Sequence, residues 1–216
     1  MNELTINKEK VAEVLRDGVQ ISVTKITEWE LALDMARSTI NKPALRKEPS
    51  LEFKQKILMA EHSPIRTQQY LIEIKGAKCW ASQHLARHDA FADHTIRESH
   101  GDIHFVGTSR TDRTGINRDE MKQAAPVNHN IYCNAQDLIT ISKLRLCRLA
   151  SKETRHIWEA VKECVEKIDP AVAKVMVPSC VYRGFCPEVG NCCGYVNTEA
   201  YKKRMEEYRS LPNKNL

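Results

Sequence analysis

The chain has 216 residues, is 42% apolar and carries a net charge of +5, which suits one globular domain with its own core. No apolar run reaches the ~20 residues needed to span a bilayer. The opening MNELTINKEKVAEVL has no apolar signal segment, so a cytoplasmic protein is expected. The mild positive charge does not call for nucleic acid and suits a small polyanion such as a nucleotide.

In chain order, residues 8–17 read as a short helix. GVQISVTKIT (18–27) alternates apolar and polar residues and reads as a strand. TEWELALDMARSTI (27–40) reads as a helix opened by a capping box of Thr27 and Glu30. NKPALRKEPS is a loop, and LEFKQKILMAEH (51–62) a helix with Leu51, Ile57 and Leu58 apolar. TQQYLIEIKG (67–76) alternates Tyr70, Ile72 and Ile74 and predicts a strand. Gly76 then turns the chain into a helix through AKCWASQHLARHDAF.

Residues 92–130 lack a helical period and are rich in His, Asp, Arg, Thr and Gly, with DIHFVGT as a short strand inside them. A polar stretch of that length points to function or disorder. From Asn134 to Ile168 there is no Pro or Gly. Leu138, Ile141, Leu144, Ile157, Val161, Cys164 and Ile168 follow helical spacing, which predicts one long helix ended by Asp169-Pro170. A short charged helix, TEAYKKRMEEYRSL, closes the chain. No repeat or linker divides it, so the reading is a catalytic-sized unit over 1–178 and a cysteine-rich tail over 179–216.

Four groupings carry possible chemistry. Arg145, Arg148, Lys152 and Arg155 share one face of the predicted helix, either as a wall for phosphate or as a solvated face beside Glu153 and Glu159. GTSRTDRTGINRDE (107–120) places Arg110, Arg113 and Arg118 among hydroxyls and two glycines, the donors an anion needs. The alternative there is a polar surface turn. His84, His88, His94, His100 and His104 crowd one region without any zinc-motif spacing. Cys180, Cys186, Cys192 and Cys193 admit a structural zinc, a redox pair or plain thiols. No dinucleotide glycine motif, Walker loop or nucleophile elbow is present.

EHSPIR (61–66), ASQHLARHD (81–89), TSR (108–110) and NAQDLITISKLRLCRLASKETR (134–155) together resemble the flavin-dependent thymidylate synthases. The last segment is the most specific, with Asn134, Ala135, Leu138, Leu144, Arg145, Ala150 and Glu153 in register. The resemblance implies an α/β (α+β) fold: a mixed, mainly antiparallel sheet packed by helices, with one long helix in the C-terminal half. It implies methylation of dUMP to dTMP with methylenetetrahydrofolate as carbon donor, reduced FAD as hydride source and NADPH as reductant. The protein would be a homotetramer with sites completed between subunits.

Carried over, the resemblance puts Arg87 and His88 at FAD, with Thr39 and His62 near flavin or folate and Asn134 on the FAD side. Thr108, Ser109 and Arg110 would hold dUMP, joined by His84 and Lys122. Arg145 would bind the uracil edge and stabilise charge on the activated ring. The chain departs from the family pattern at Asp89, where a third basic residue is usual, at Thr108 and at Leu149. Arg97 and Arg113 are the candidates to offset Asp89. A helical insertion of the family is replaced by TDRTGINRDEMKQAAP. These departures fit a phage-like branch, or a changed product such as a 5-hydroxymethyl nucleotide. A zinc-stapled nucleic-acid-binding module is the rival from another class. The low charge and the lack of aromatics near the arginine loop count against it.

Overall fold

A computed structural model describes residues 10–86, 102–107 and 120–212. Five strands, β1 (Val11–Arg16), β2 (Val19–Lys25), β3 (Gln69–Lys78), β4 (Ile103–Gly107) and β5 (Pro126–Asn134), form one sheet in the order β1-β2-β3-β5-β4, and every neighbouring pair is antiparallel. The expected α+β class with an antiparallel sheet is therefore what the chain adopts.

The alternation read in β2 and β3 sets the register. Ile21 faces Ile74, Val23 faces Ile72 and Lys25 faces Tyr70; on the other side Tyr70 faces Cys133, Ile72 faces Ile131 and Ile74 faces His129. These side chains are buried and form the sheet side of the core. A bulge between Lys75 and Ala77 is accommodated by Gly76, whose φ of 83° suits glycine.

Among the described residues eight α-helices accompany the sheet: α1 (Trp29–Ser38), α2 (Leu51–Met59), α3 (Cys79–Ala86), α4 (Ala135–Arg145), α5 (Lys152–Ile168), α6 (Pro170–Val175), α7 (Ser179–Arg183) and α8 (Glu199–Arg209). Helix α5 lies on β1 and β2, and α3 touches β3 and β5. A 3-10 turn, Ser63–Thr67, links α2 to β3. Cys180, Val181, Tyr201, Met205 and Tyr208 of α7 and α8 join the same core as the sheet. Among the described residues no helix is long and apolar enough to cross a membrane.

Four expectations are corrected. The segment read as an N-terminal helix is β1, paired with β2 through Asp17-Gly18, both at positive φ. This is the tight hairpin that an Asp-Gly pair favours. Thr27 does not cap α1: its hydroxyl donates to the Thr67 carbonyl at 2.6 Å and accepts from the Gln69 amide at 2.8 Å, so Glu28 stands at the cap position without a side-chain bond. PVNHNIYCN, taken as part of an irregular stretch, is β5, with Val127, His129, Ile131 and Cys133 inward.

The fourth correction is the long helix, which is two helices. The apolar positions Ile141 and Ile157 are both buried, yet sixteen residues at 100° each would set them about 160° apart on one cylinder. Breaking at 146–151 lets both stripes face the core. Trp158 Nε1 then donates to Ser142 Oγ at 2.9 Å, two atoms that a straight helix would hold about 24 Å apart. The four-residue basic stripe is divided as well, since Arg145 ends α4, Arg148 lies in the connection, and Lys152 and Arg155 belong to α5.

Two carboxylates tie elements together, Asp169 between helices and sheet and Glu61 among helices. Asp169, at the α5–α6 junction, accepts from Lys25 Nζ at 2.7 Å, Trp29 Nε1 at 2.8 Å and Tyr70 OH at 2.9 Å. Burial pushes Lys25 down and Tyr70 up. Glu61, just after α2, accepts from Lys143 Nζ at 2.8 Å and from Gln136 and Tyr182. Partial burial works to raise its carboxyl, but these hydrogen bonds outweigh it and hold the group below its ordinary value.

Asp169→Ala is expected to lower the unfolding free energy by about 3–5 kcal/mol, because it strands the buried Lys25 ammonium. Adding Lys25→Met should recover part of the loss in urea unfolding. For Glu61, stability is fully present above the unfolded carboxyl value of about 4.3 and is lost as pH falls through the lower folded-state value. Glu61→Gln should therefore flatten the acid limb of a stability–pH curve measured by thermal unfolding.

Candidate functional site

Helix α4 begins immediately at the end of β5. Asn134, the last strand residue, caps it: its Oδ1 accepts from the Gln136 amide at 2.8 Å and the Asp137 amide at 3.2 Å, while the Asn134 amide donates to Asp137 Oδ2 at 2.8 Å. This is a full capping box. The Asn134 side-chain oxygen is thus engaged in starting the helix that ends at Arg145.

At that far end, burial pulls the Arg145 guanidinium below its ordinary value. Its Nε is buried and has no hydrogen-bond partner among the described residues. A half-buried arginine with an unused donor is costly in the free protein. The group is therefore poised for an anionic or carbonyl oxygen.

Helix α3 is fixed on the sheet by a buried polar chain. Ser82 Oγ lies 2.9 Å from His129 Nδ1, His129 Nε2 lies 2.8 Å from His104 Nδ1, and His104 Nε2 lies 3.0 Å from Asp102 Oδ2. His129 and Ser82 are fully buried. The chain links α3, β5 and β4, and so sets the helix that carries His84 and leads to residue 87. Trp80 and His84 meet edge to face on that helix at 5.4 Å.

The remaining candidates are distributed as follows. Thr39 and His62 are exposed, the first at the end of α1 with its hydroxyl on the Ala36 carbonyl at 2.7 Å, the second just before the 3-10 turn. Lys122 is exposed in the segment before β5. Arg87, His88, Asp89, Arg97, Thr108, Ser109, Arg110 and Arg113 lie outside the described residues.

Cys180 is buried in α7, where burial first and then Cys147 and Cys193 push its thiol up to about 11, while Cys192 is exposed, a free thiol hydrogen-bonded to Cys186. Among the described residues no group of three or more His, Cys, Asp or Glu side chains is arranged to hold a metal ion. The expected four-cysteine zinc geometry is thus not formed among the described residues.

Sequence reading missed Asp102, His129 and Glu61. The alternation Val127-x-His129-x-Ile131-x-Cys133 was the available signal for His129, since a histidine on the buried face of a strand needs hydrogen-bond partners. Glu61 stood in the quoted EHSPIR, but nothing local indicated that its partners lie on α4 and α7.

No protein-family model and no curated protein matches the chain. The fold is similar to that of the UMP/dUMP methylase PolB from Streptomyces cacaoi, a structure solved with 5-Br dUMP bound. The likeness covers 79% of this chain and 96% of that one, at 12% sequence identity and a TM-score of 0.53.

Proposed function

We propose that the protein is an enzyme that methylates a pyrimidine nucleotide, taking dUMP to dTMP with methylenetetrahydrofolate, reduced FAD and NADPH. One observation carries the reading: the buried Nε of Arg145, without a hydrogen-bond partner among the described residues, falls at the position where the family motif sets an arginine against the pyrimidine. The fold likeness to a methylase solved with a dUMP analogue supports the same substrate class.

The nucleotide fits what the site offers. Arg145 supplies a directed, desolvated donor to an oxygen on the uracil edge, where negative charge grows as the ring is activated. The folate and flavin supply the carbon and the hydride when bound, so the protein's work is to bind, orient and exclude water. Thr39 and His62 stand at the surface, the placement a flavin held between subunits of a homotetramer needs. The Ser82–His129–His104–Asp102 chain fixes α3 on the sheet, and Arg87 and His88 are assigned to FAD on the motif alone. Thr108, Ser109 and Arg110 are assigned to the nucleotide phosphate on the motif alone.

Protein purified with FAD should be yellow and should convert dUMP to a product one methyl group heavier when given methylenetetrahydrofolate and NADPH. Mass spectrometry of the product separates methyl from hydroxymethyl transfer. Arg145→Ala should lower kcat/KM for dUMP roughly hundredfold while leaving the unfolding midpoint unchanged or slightly raised, because it removes an unsatisfied buried donor. Protein that neither binds flavin nor turns over dUMP would overturn the reading.

A further inference from the structure

We propose that the cleft between α5, α8 and the loop before α8 is a second anion site that takes an oligophosphate small molecule. The cleft has a volume of about 550 Å³ and is lined by Arg148, Arg155, Lys162 and Arg204, with Glu159 as its carboxylate and Tyr195 as its aromatic wall. Arg145 is not among the lining residues.

The cations are only partly offset by carboxylates: Arg155 pairs with Glu159 and Arg204 with Glu207. Arg148 rests its guanidinium carbon 4.2 Å from the Tyr195 ring, which orients it without cancelling its charge. The Tyr195 ring is itself set edge-on against Tyr201 at 5.7 Å. Arg155 donates to the Arg148 carbonyl at 3.3 Å and meets Glu159 at 3.4 Å, but Glu159 also faces Arg16 at 3.9 Å. Arg204 Nη1 reaches Glu207 at 3.3 Å. Its Nη2 is buried and has no hydrogen-bond partner among the described residues. A buried guanidinium N–H left open is worth more to an incoming phosphate than a surface one.

The spacing selects the ligand. Arg148 and Arg155 form one cationic pair, the Arg155 guanidinium being held to the Arg148 main-chain carbonyl. Lys162 and Arg204 form another, close enough that the guanidinium disfavours the charge on Lys162. Arg155 and Lys162 are two turns apart on α5, about 10 Å along its axis. A single phosphate cannot reach both pairs, whereas a chain of phosphates can lie along the helix between them. Burial first, and then Arg204, pulls Lys162 down to about 8, against the opposing carboxylates Glu166, Glu207 and Glu159. An anion in the cleft relieves that repulsion and raises the Lys162 value, so affinity falls as pH rises through about 8.

Calorimetric titration with inorganic triphosphate and with ATP, in the absence of flavin and dUMP, tests the site and is independent of the methylase reading. Both ligands should bind, more weakly as salt rises, and at least tenfold more tightly than inorganic monophosphate. Arg148→Gln and Arg204→Gln should each reduce triphosphate affinity about tenfold, and Lys162→Met should remove the pH dependence. Arg145→Ala should leave triphosphate affinity unchanged. Equal affinity for the two ligands assigns the site to phosphate chemistry alone, and tighter ATP adds a nucleoside contact at Tyr195. Absence of triphosphate binding overturns the proposal. So does binding that survives Arg148→Gln but is lost in Arg145→Ala, which would place the phosphates in the substrate site.

Discussion

A single carboxylate oxygen holds the two layers in place. Asp169 Oδ2 receives an ammonium from β2, an indole N–H from α1 and a phenol from β3. The residue itself sits where α5 gives way to α6. Burying an isolated carboxylate would be prohibitive, and burying it with one lysine would gain little. Two further neutral donors satisfy the remaining capacity of the oxygen, which is what makes the arrangement tolerable in a dry interior. Because Lys25 and Tyr70 are directly opposite each other in the sheet, the interaction also fixes the β2–β3 register at the end nearest the helices. The helix layer therefore stands in one relation to the strands that carry the site.

Much of this plan is legible in the amino-acid order. The alternations of β2 and β3, the helix from Leu51, the strand after Asp102 and the terminal charged helix all follow from periodicity. The failures have definite causes. β1 has residues that suit helix or strand, and its fate was decided by the Asp17-Gly18 turn and its pairing with β2. β5 places a histidine where an apolar residue would have made the pattern plain. The split of α4 from α5 has no Gly or Pro to announce it and shows only in the phase of the apolar positions.

The candidate site was legible in part. Arg145 is marked by its motif, and the structure adds what the motif cannot, namely a buried nitrogen without a hydrogen-bond partner among the described residues. Asn134 was marked by the same motif, yet its oxygen is occupied at the start of α4. The distant partners of Glu61 and the four-residue chain from Ser82 to Asp102 depend on contacts between elements far apart in sequence, which no local pattern encodes.

That chain has a direction. An ionised Asp102 only accepts, so His104 donates to it from Nε2. The other nitrogen of a neutral His104 must then accept from His129 Nε2, and His129 Nδ1 must accept from the Ser82 hydroxyl. Every proton in the row points toward Asp102. The row also spans three elements that are far apart in sequence. A change at any one of its four residues is therefore a change in how α3 is seated on β5 and β4, however far that residue lies from the helix itself.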